Sequence, residues 1–204
     1  MRVLVSLGLF ALCAAPPLLA AEQTIVVVGD SLSSGYGLAE APSWVQLLAD
    51  RLAAQGYGHE VVNASIAGDT SAGGLARLPR LLATHEPGIV LIELGGNDGL
   101  RGQPVGELRR NLAEMITLVQ DAGARAILAG IQIPPNYGPA YTRALAEVFP
   151  ALAEEFDVPL VPFLMDGVAL RDDFMQSDRV HPNAAGQNVM LDNVWPVLAE
   201  LLHE

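Results

Sequence analysis

Thr24-Ile25-Val26-Val27-Val28-Gly29-Asp30-Ser31-Leu32-Ser33-Ser34-Gly35 decides the fold. The run from Thr24 to Gly29 shows no alternation of apolar and polar residues, which marks a strand buried on both faces. It breaks at once into a polar, glycine-containing turn. An apolar run of this kind needs layers above and below it, and the rest of the chain supplies them. Further apolar runs at Glu60–Ala64, Ile89–Leu94, Arg125–Ile131 and Pro159–Val161 alternate with longer amphipathic stretches at Trp44–Ala54, Thr70–Thr84, Leu108–Ala122, Pro139–Phe156 and Asn183–Leu202. Strands and helices taking turns predict an α/β fold, a three-layer α/β/α sandwich around a mostly parallel sheet. Pro79 is expected to bend or divide its helix, Pro150 to interrupt another, and Pro196 lies inside the last.

Composition agrees with one packed domain. The 204 residues are 51% hydrophobic and only 5% aromatic. Acidic residues number 23 against 11 basic, all of them Arg, for a net charge of -12. That balance excludes nucleic acid as a natural partner, which requires a basic patch to neutralise phosphates, and argues against docking on anionic lipid. Met1-Arg2 followed by the uncharged stretch Val3–Ala21 has the pattern of an export signal, so residues 1–21 are expected to be removed and residues 22–204 to form the domain. The mature chain is then expected in the periplasm or secreted. Cys13, the only cysteine, lies in that segment, so the mature chain has neither a disulfide nor a thiol nucleophile.

In parallel sheets function gathers beyond the carboxyl ends of the strands. The segments there are Gly29-Asp30-Ser31-Leu32, Asn63-Ala64-Ser65-Ile66-Ala67-Gly68-Asp69-Thr70 and Gly95-Gly96-Asn97-Asp98. Each alone is what any turn favours. Asp178-Arg179-Val180-His181 adds a carboxylate three residues before an imidazole, just ahead of the last helix. A serine hydroxyl becomes a nucleophile when a base takes its proton, and the base works best when a carboxylate fixes its tautomer. Ser31, His181 and Asp178 supply these parts. The N–H groups of Ser31 and Gly68 and the Asn97 amide are the candidate donors to an oxyanion. A zinc site is not indicated, since Asp178-x-x-His181 lacks further ligands at recognisable spacing. His59, His85 and His203 read as surface residues.

In order, Ser31, Gly68, Asn97 and His181 match the four residues for which the SGNH, or GDSL, hydrolase family is named, and the match spans nearly the whole mature chain. The run Gly29–Gly37 is most similar to the bacterial periplasmic group of thioesterases, lysophospholipases and arylesterases. The resemblance implies a flavodoxin-like, five-stranded parallel sheet between helices, with Ser31 as nucleophile, His181 as base, Asp178 as its orienter, and Ser31, Gly68 and Asn97 as the oxyanion hole. It implies a serine esterase or thioesterase that needs no cofactor or metal. Leu75, Leu100, Ile133 and Pro135 are the expected acyl-binding positions, and the expected partner is a small acyl ester or thioester, such as a lysophospholipid, with no stable membrane anchor after processing. A carbohydrate acetylesterase and a non-catalytic acyl-ligand binding protein are the alternatives.

Overall fold

The computed structural model describes residues 24–202. Residues 1–21, expected to be an export signal and containing Cys13, lie outside them, as does His203. Five strands form one sheet: β1 (Ile25–Gly29), β2 (Val61–Asn63), β3 (Ile89–Glu93), β4 (Arg125–Ala129) and β5 (Leu160–Val161). Every pairing is parallel and the spatial order is β2-β1-β3-β4-β5. This is the flavodoxin-like order, in which the direction of winding reverses between β1 and β3. The reversal leaves a crevice beyond the carboxyl ends of those two strands.

Among the described residues seven α-helices surround the sheet: α1 (Ser31–Ser34), α2 (Trp44–Ala54), α3 (Ser71–His85), α4 (Gly96–Leu100), α5 (Val105–Asp121), α6 (Pro139–Phe156) and α7 (Ala184–Leu201). Successive strand side chains point to opposite faces, and each face has its own core. Val26, Val28, Val90, Ile92 and Leu128 pack with residues of α3, α5 and α6. Ile25, Val27, Leu91 and Ile127 pack with Trp44 and Leu48 of α2 and Met190 and Val194 of α7. Within the second layer, α2 and α7 are tied at their ends as well as through their core. Ser43 and Gln46 form a reciprocal cap at the start of α2, and the Trp44 N–H donates to the Gln187 side chain of α7 at 2.9 Å.

Pro79 does not divide its helix and Pro150 does not interrupt its own, while Pro196 lies inside the last helix as expected. All three are on the exposed face, so the carbonyl one turn back, which loses its intrahelical donor, turns toward water and the helix continues. Two short helices, α1 and α4, stand where the sequence suggested turns; both begin just beyond a strand of the crevice. His59 is half-buried rather than on the surface, edge-on to Tyr57, and burial and then the charge of Arg125 push its pKa down. No helix among the described residues is long and apolar enough to cross a membrane.

Candidate active site

β1 delivers Ser31 to the crevice as the first residue of α1. Asp30, the cap of that helix, accepts the Leu32 N–H at 3.0 Å. Beyond the end of β3, Gly95, whose φ of 126° allows the turn into α4, places Asn97 beside the first turn. The Asn97 amide donates to Asp30 Oδ2 at 2.9 Å. That contact fixes which end of the amide is nitrogen and leaves its second N–H free to donate elsewhere.

His181 comes from the far end of the chain, on a loop that is closed on itself. Met175 and Pro182 form an antiparallel bridge, the Gln176 N–H donates to the His181 carbonyl at 2.8 Å, and the Asn183 N–H donates to the Phe174 carbonyl at 2.8 Å. The Gln176 side chain donates to the carbonyls of Tyr36 and Pro182 at 2.9 and 3.0 Å, locking this loop to the one after α1. Within it, His181 Nε2 lies 2.8 Å from Ser31 Oγ and Nδ1 lies 2.7 Å from Asp178 Oδ2. Asp178 Oδ1 accepts the N–H groups of Val180 and His181, both at 3.0 Å. Burial alone would push the Asp178 carboxyl up, but these backbone bonds and the His181 ring outweigh it and bring it to about 2. Tyr36 lies against the imidazole, with ring centroids 4.6 Å apart.

Gly68 sits at φ 81° on an exposed loop, and its carbonyl accepts from Arg101 at 2.8 Å. Among the described residues neither the Ser31 N–H nor the Gly68 N–H donates to a protein acceptor. The Gly68 loop is braced by Arg77, which reaches Asp69 at 2.8 Å, the Ala64 carbonyl, and the Gly29 carbonyl at 3.3 Å, so the ends of β1 and β2 share one guanidinium. Asp98, buried, joins the other side by accepting both the N–H and the hydroxyl of Ser71.

A cavity of about 800 Å³ opens at Ser31, Asn97 and His181. Leu100, Ile133 and Pro135 line it, as expected, together with Ile131, Phe163 and Met165. Leu75 does not line it. It packs against the core between the sheet and α3, because the helical period turns that position inward although it follows the Gly68 loop closely in sequence. Asp30 and Glu93 are the site residues missed by sequence reading. The signal for Glu93 was a carboxylate ending an otherwise apolar strand. Among the described residues no group of three or more His, Cys, Asp or Glu side chains gathers to hold a metal.

Burial pushes the Asp30 carboxyl up to about 6, although the Leu32 N–H and the Asn97 amide pull it down. Asp30→Asn is expected to turn an acceptor into a second amide facing Asn97, forcing that side chain to flip its oxygen toward the crevice. The loss in kcat on a short ester is about 10²–10³-fold, the usual cost of one oxyanion donor. A kcat close to the parent's would show that Asp30 does not set the amide.

A serine, an imidazole and a carboxylate in contact at the crevice of a parallel sheet define a hydrolase that works on acyl carbonyls. The chain belongs to the GDSL-like Lipase/Acylhydrolase family, whose model matches residues 27–189. It is 54% identical over 183 residues to Esterase TesA of Pseudomonas aeruginosa, covering 90% of this chain and 91% of that one. It is 46% identical over 173 residues to the Thioesterase 1/protease 1/lysophospholipase L1 of Escherichia coli, covering 85% and 82%. Among solved structures it is similar to the psychrotrophic esterase EstA from Pseudoalteromonas sp. inhibited by monoethylphosphonate, with a TM-score of 0.84, 41% identity, and coverage of 89% and 100%.

Proposed function

We propose that this chain is an exported esterase and thioesterase acting on single acyl chains, with Ser31 as nucleophile, His181 as base and Asp178 as its orienter. The observation that carries the reading is the unbroken contact from Ser31 Oγ through His181 to Asp178, at 2.8 and 2.7 Å. Ser31 attacks the acyl carbonyl as its proton passes to His181 Nε2. The oxyanion takes hydrogen bonds from the N–H groups of Ser31 and Gly68 and the Asn97 amide. The alcohol or thiol leaves with the proton from His181, and water, deprotonated by the same ring, releases the acid. Asp178 holds Nδ1 protonated and offsets the imidazolium.

The apolar lining favours an acyl chain over a sugar. Phe163 is the only Phe, Tyr or Trp among the cavity-lining residues, so a ring-stacking platform for carbohydrate is absent from the described wall. A volume of this size suits a single chain with its headgroup at the mouth. Residues 1–21 act as a cleaved export signal, placing residues 22–204 in the periplasm or beyond it. The relatives' names support the thioesterase and lysophospholipid readings, and the phosphonate-inhibited EstA supports a serine open to phosphonylation.

A panel of aryl esters and acyl thioesters from two to sixteen carbons (roughly the span a cavity of this size accepts) tests the substrate, together with fluorophosphonate labelling and peptide mapping. Expected are modification of Ser31 and a kcat/KM that rises with chain length by about tenfold or more, at roughly 0.8 kcal/mol per buried methylene. A flat profile with strong preference for acetylated sugars would overturn the acyl-chain reading. Failure of the probe to label Ser31 would point to a binding protein.

A further inference from the structure

Glu93 is the only acidic residue in the described strands, and it is fully buried. The register of β1 and β3 sets it opposite Gly29. Its Oε2 lies 3.2 Å from the Asp30 N–H and 2.6 Å from the Ser33 hydroxyl, so one oxygen meets both ends of the turn that carries Ser31. The direction of these bonds follows from the neighbour beyond. The Trp44 indole N–H can only donate, and it donates to Ser33 Oγ at 3.2 Å. Among the described residues Glu93 is the only acceptor within reach of the Ser33 hydroxyl, so the Ser33 proton goes to Glu93 and Oε2 accepts twice. Oε1 is buried with no partner.

A buried charge without a cation is far costlier than a buried neutral acid. Burial first, then the charge of Asp30, push the Glu93 carboxyl well above the ordinary range, against the pull of Ser33 and the Asp30 N–H. With Oε2 accepting twice, Oε1 is the oxygen on which a neutral Glu93 carries its proton. Gly29 makes room for this arrangement, since a Cβ there would stand 2.6 Å from Oε2.

We infer that Glu93 is a positioning residue: an uncharged acid beneath the nucleophile turn, whose Oε2 clamps Asp30 and Ser33 and so sets where the Ser31 hydroxyl and N–H stand. It touches no substrate. The inference rests on the proposed role of Ser31, and its consequence is that Gln, which presents the same acceptor oxygen without a charge, replaces Glu93 while Ala does not.

The experiment compares Glu93→Gln, Glu93→Ala, Ser33→Ala and Ser31→Ala for kcat and KM on a short aryl ester, with thermal melts to establish folding. Glu93→Gln is expected to keep kcat within about threefold, whereas Glu93→Ala loses about 10²-fold with KM nearly unchanged, the cost of displacing a reacting group by about 1 Å. Ser33→Ala, which removes one of the two tethers, is expected to lose about tenfold in kcat. A folded Glu93→Ala within about threefold of the parent, or a Gln variant as impaired as the Ala variant, overturns the inference. Should Glu93→Ala not fold, Ser33→Ala decides, and an unchanged kcat there overturns it. Activity surviving in Ser31→Ala would instead overturn the reading of the site itself.

Discussion

Ser31→Ala is expected to lower kcat on any ester substrate by about 10⁵–10⁶-fold while leaving the melting temperature nearly unchanged. The hydroxyl is bonded only at the site, 2.8 Å from His181, and no core contact depends on it. The same loss is expected from His181→Ala, because a serine without its base is a weak nucleophile. The two losses should not add. In the double variant the second substitution removes nothing that the first left working, so kcat should fall no further than in either single variant. Additive losses would mean that the two side chains act in separate steps. Residual turnover from the oxyanion donors is expected to survive in all three variants.

Asp178→Asn comes next, with an expected loss of about 10⁴-fold in kcat at neutral pH. The Asp178 Oδ2 contact requires the proton on Nδ1, leaving Nε2 free to accept from Ser31. An amide nitrogen in its place favours the opposite tautomer. Asp178 is held at about 2 by its bonds to His181 and Val180, so it stays ionised throughout the working range. The linkage to stability has the opposite ordering from that of a buried acid. The folded pKa lies below the ordinary 3.8, so the unfolded chain binds the proton more readily. The stabilisation is present above that value and lost as the pH falls toward 2. It is small, because the side chain is 40% exposed. Urea midpoints for parent and Asn variant are therefore expected to differ slightly at neutral pH and to converge in acid. A gap that widened in acid would contradict the assignment.

The layers and the order of elements were legible in the sequence because burial on both faces writes continuous apolar runs, while helices write a longer period. Ser31, Asn97, Asp178 and His181, which the structure brings together, were legible because each follows a strand or precedes a helix in a motif of its own, whereas Gly68 lies on an exposed loop outside the cavity lining. Asp30 and Glu93 were not. Their partners lie 67 and 60 residues away at Asn97 and Ser33, and a contact of that kind depends on which strands become neighbours, which local pattern does not encode. Leu75 shows the converse, since it follows the Gly68 loop closely in sequence but packs against the core. Pro79 and Pro150 misled because their effect on a helix depends on whether the orphaned carbonyl meets water or core.

The Ser31–His181 contact spans 150 residues, and the loop that carries His181 is closed by bonds to residues on both sides of it. A ribosome-bound chain therefore holds Ser31 long before it holds His181. On the proposed roles of these two residues, the nascent protein lacks the base for ester cleavage until that loop has been made. Silence during synthesis is a consequence of connectivity alone.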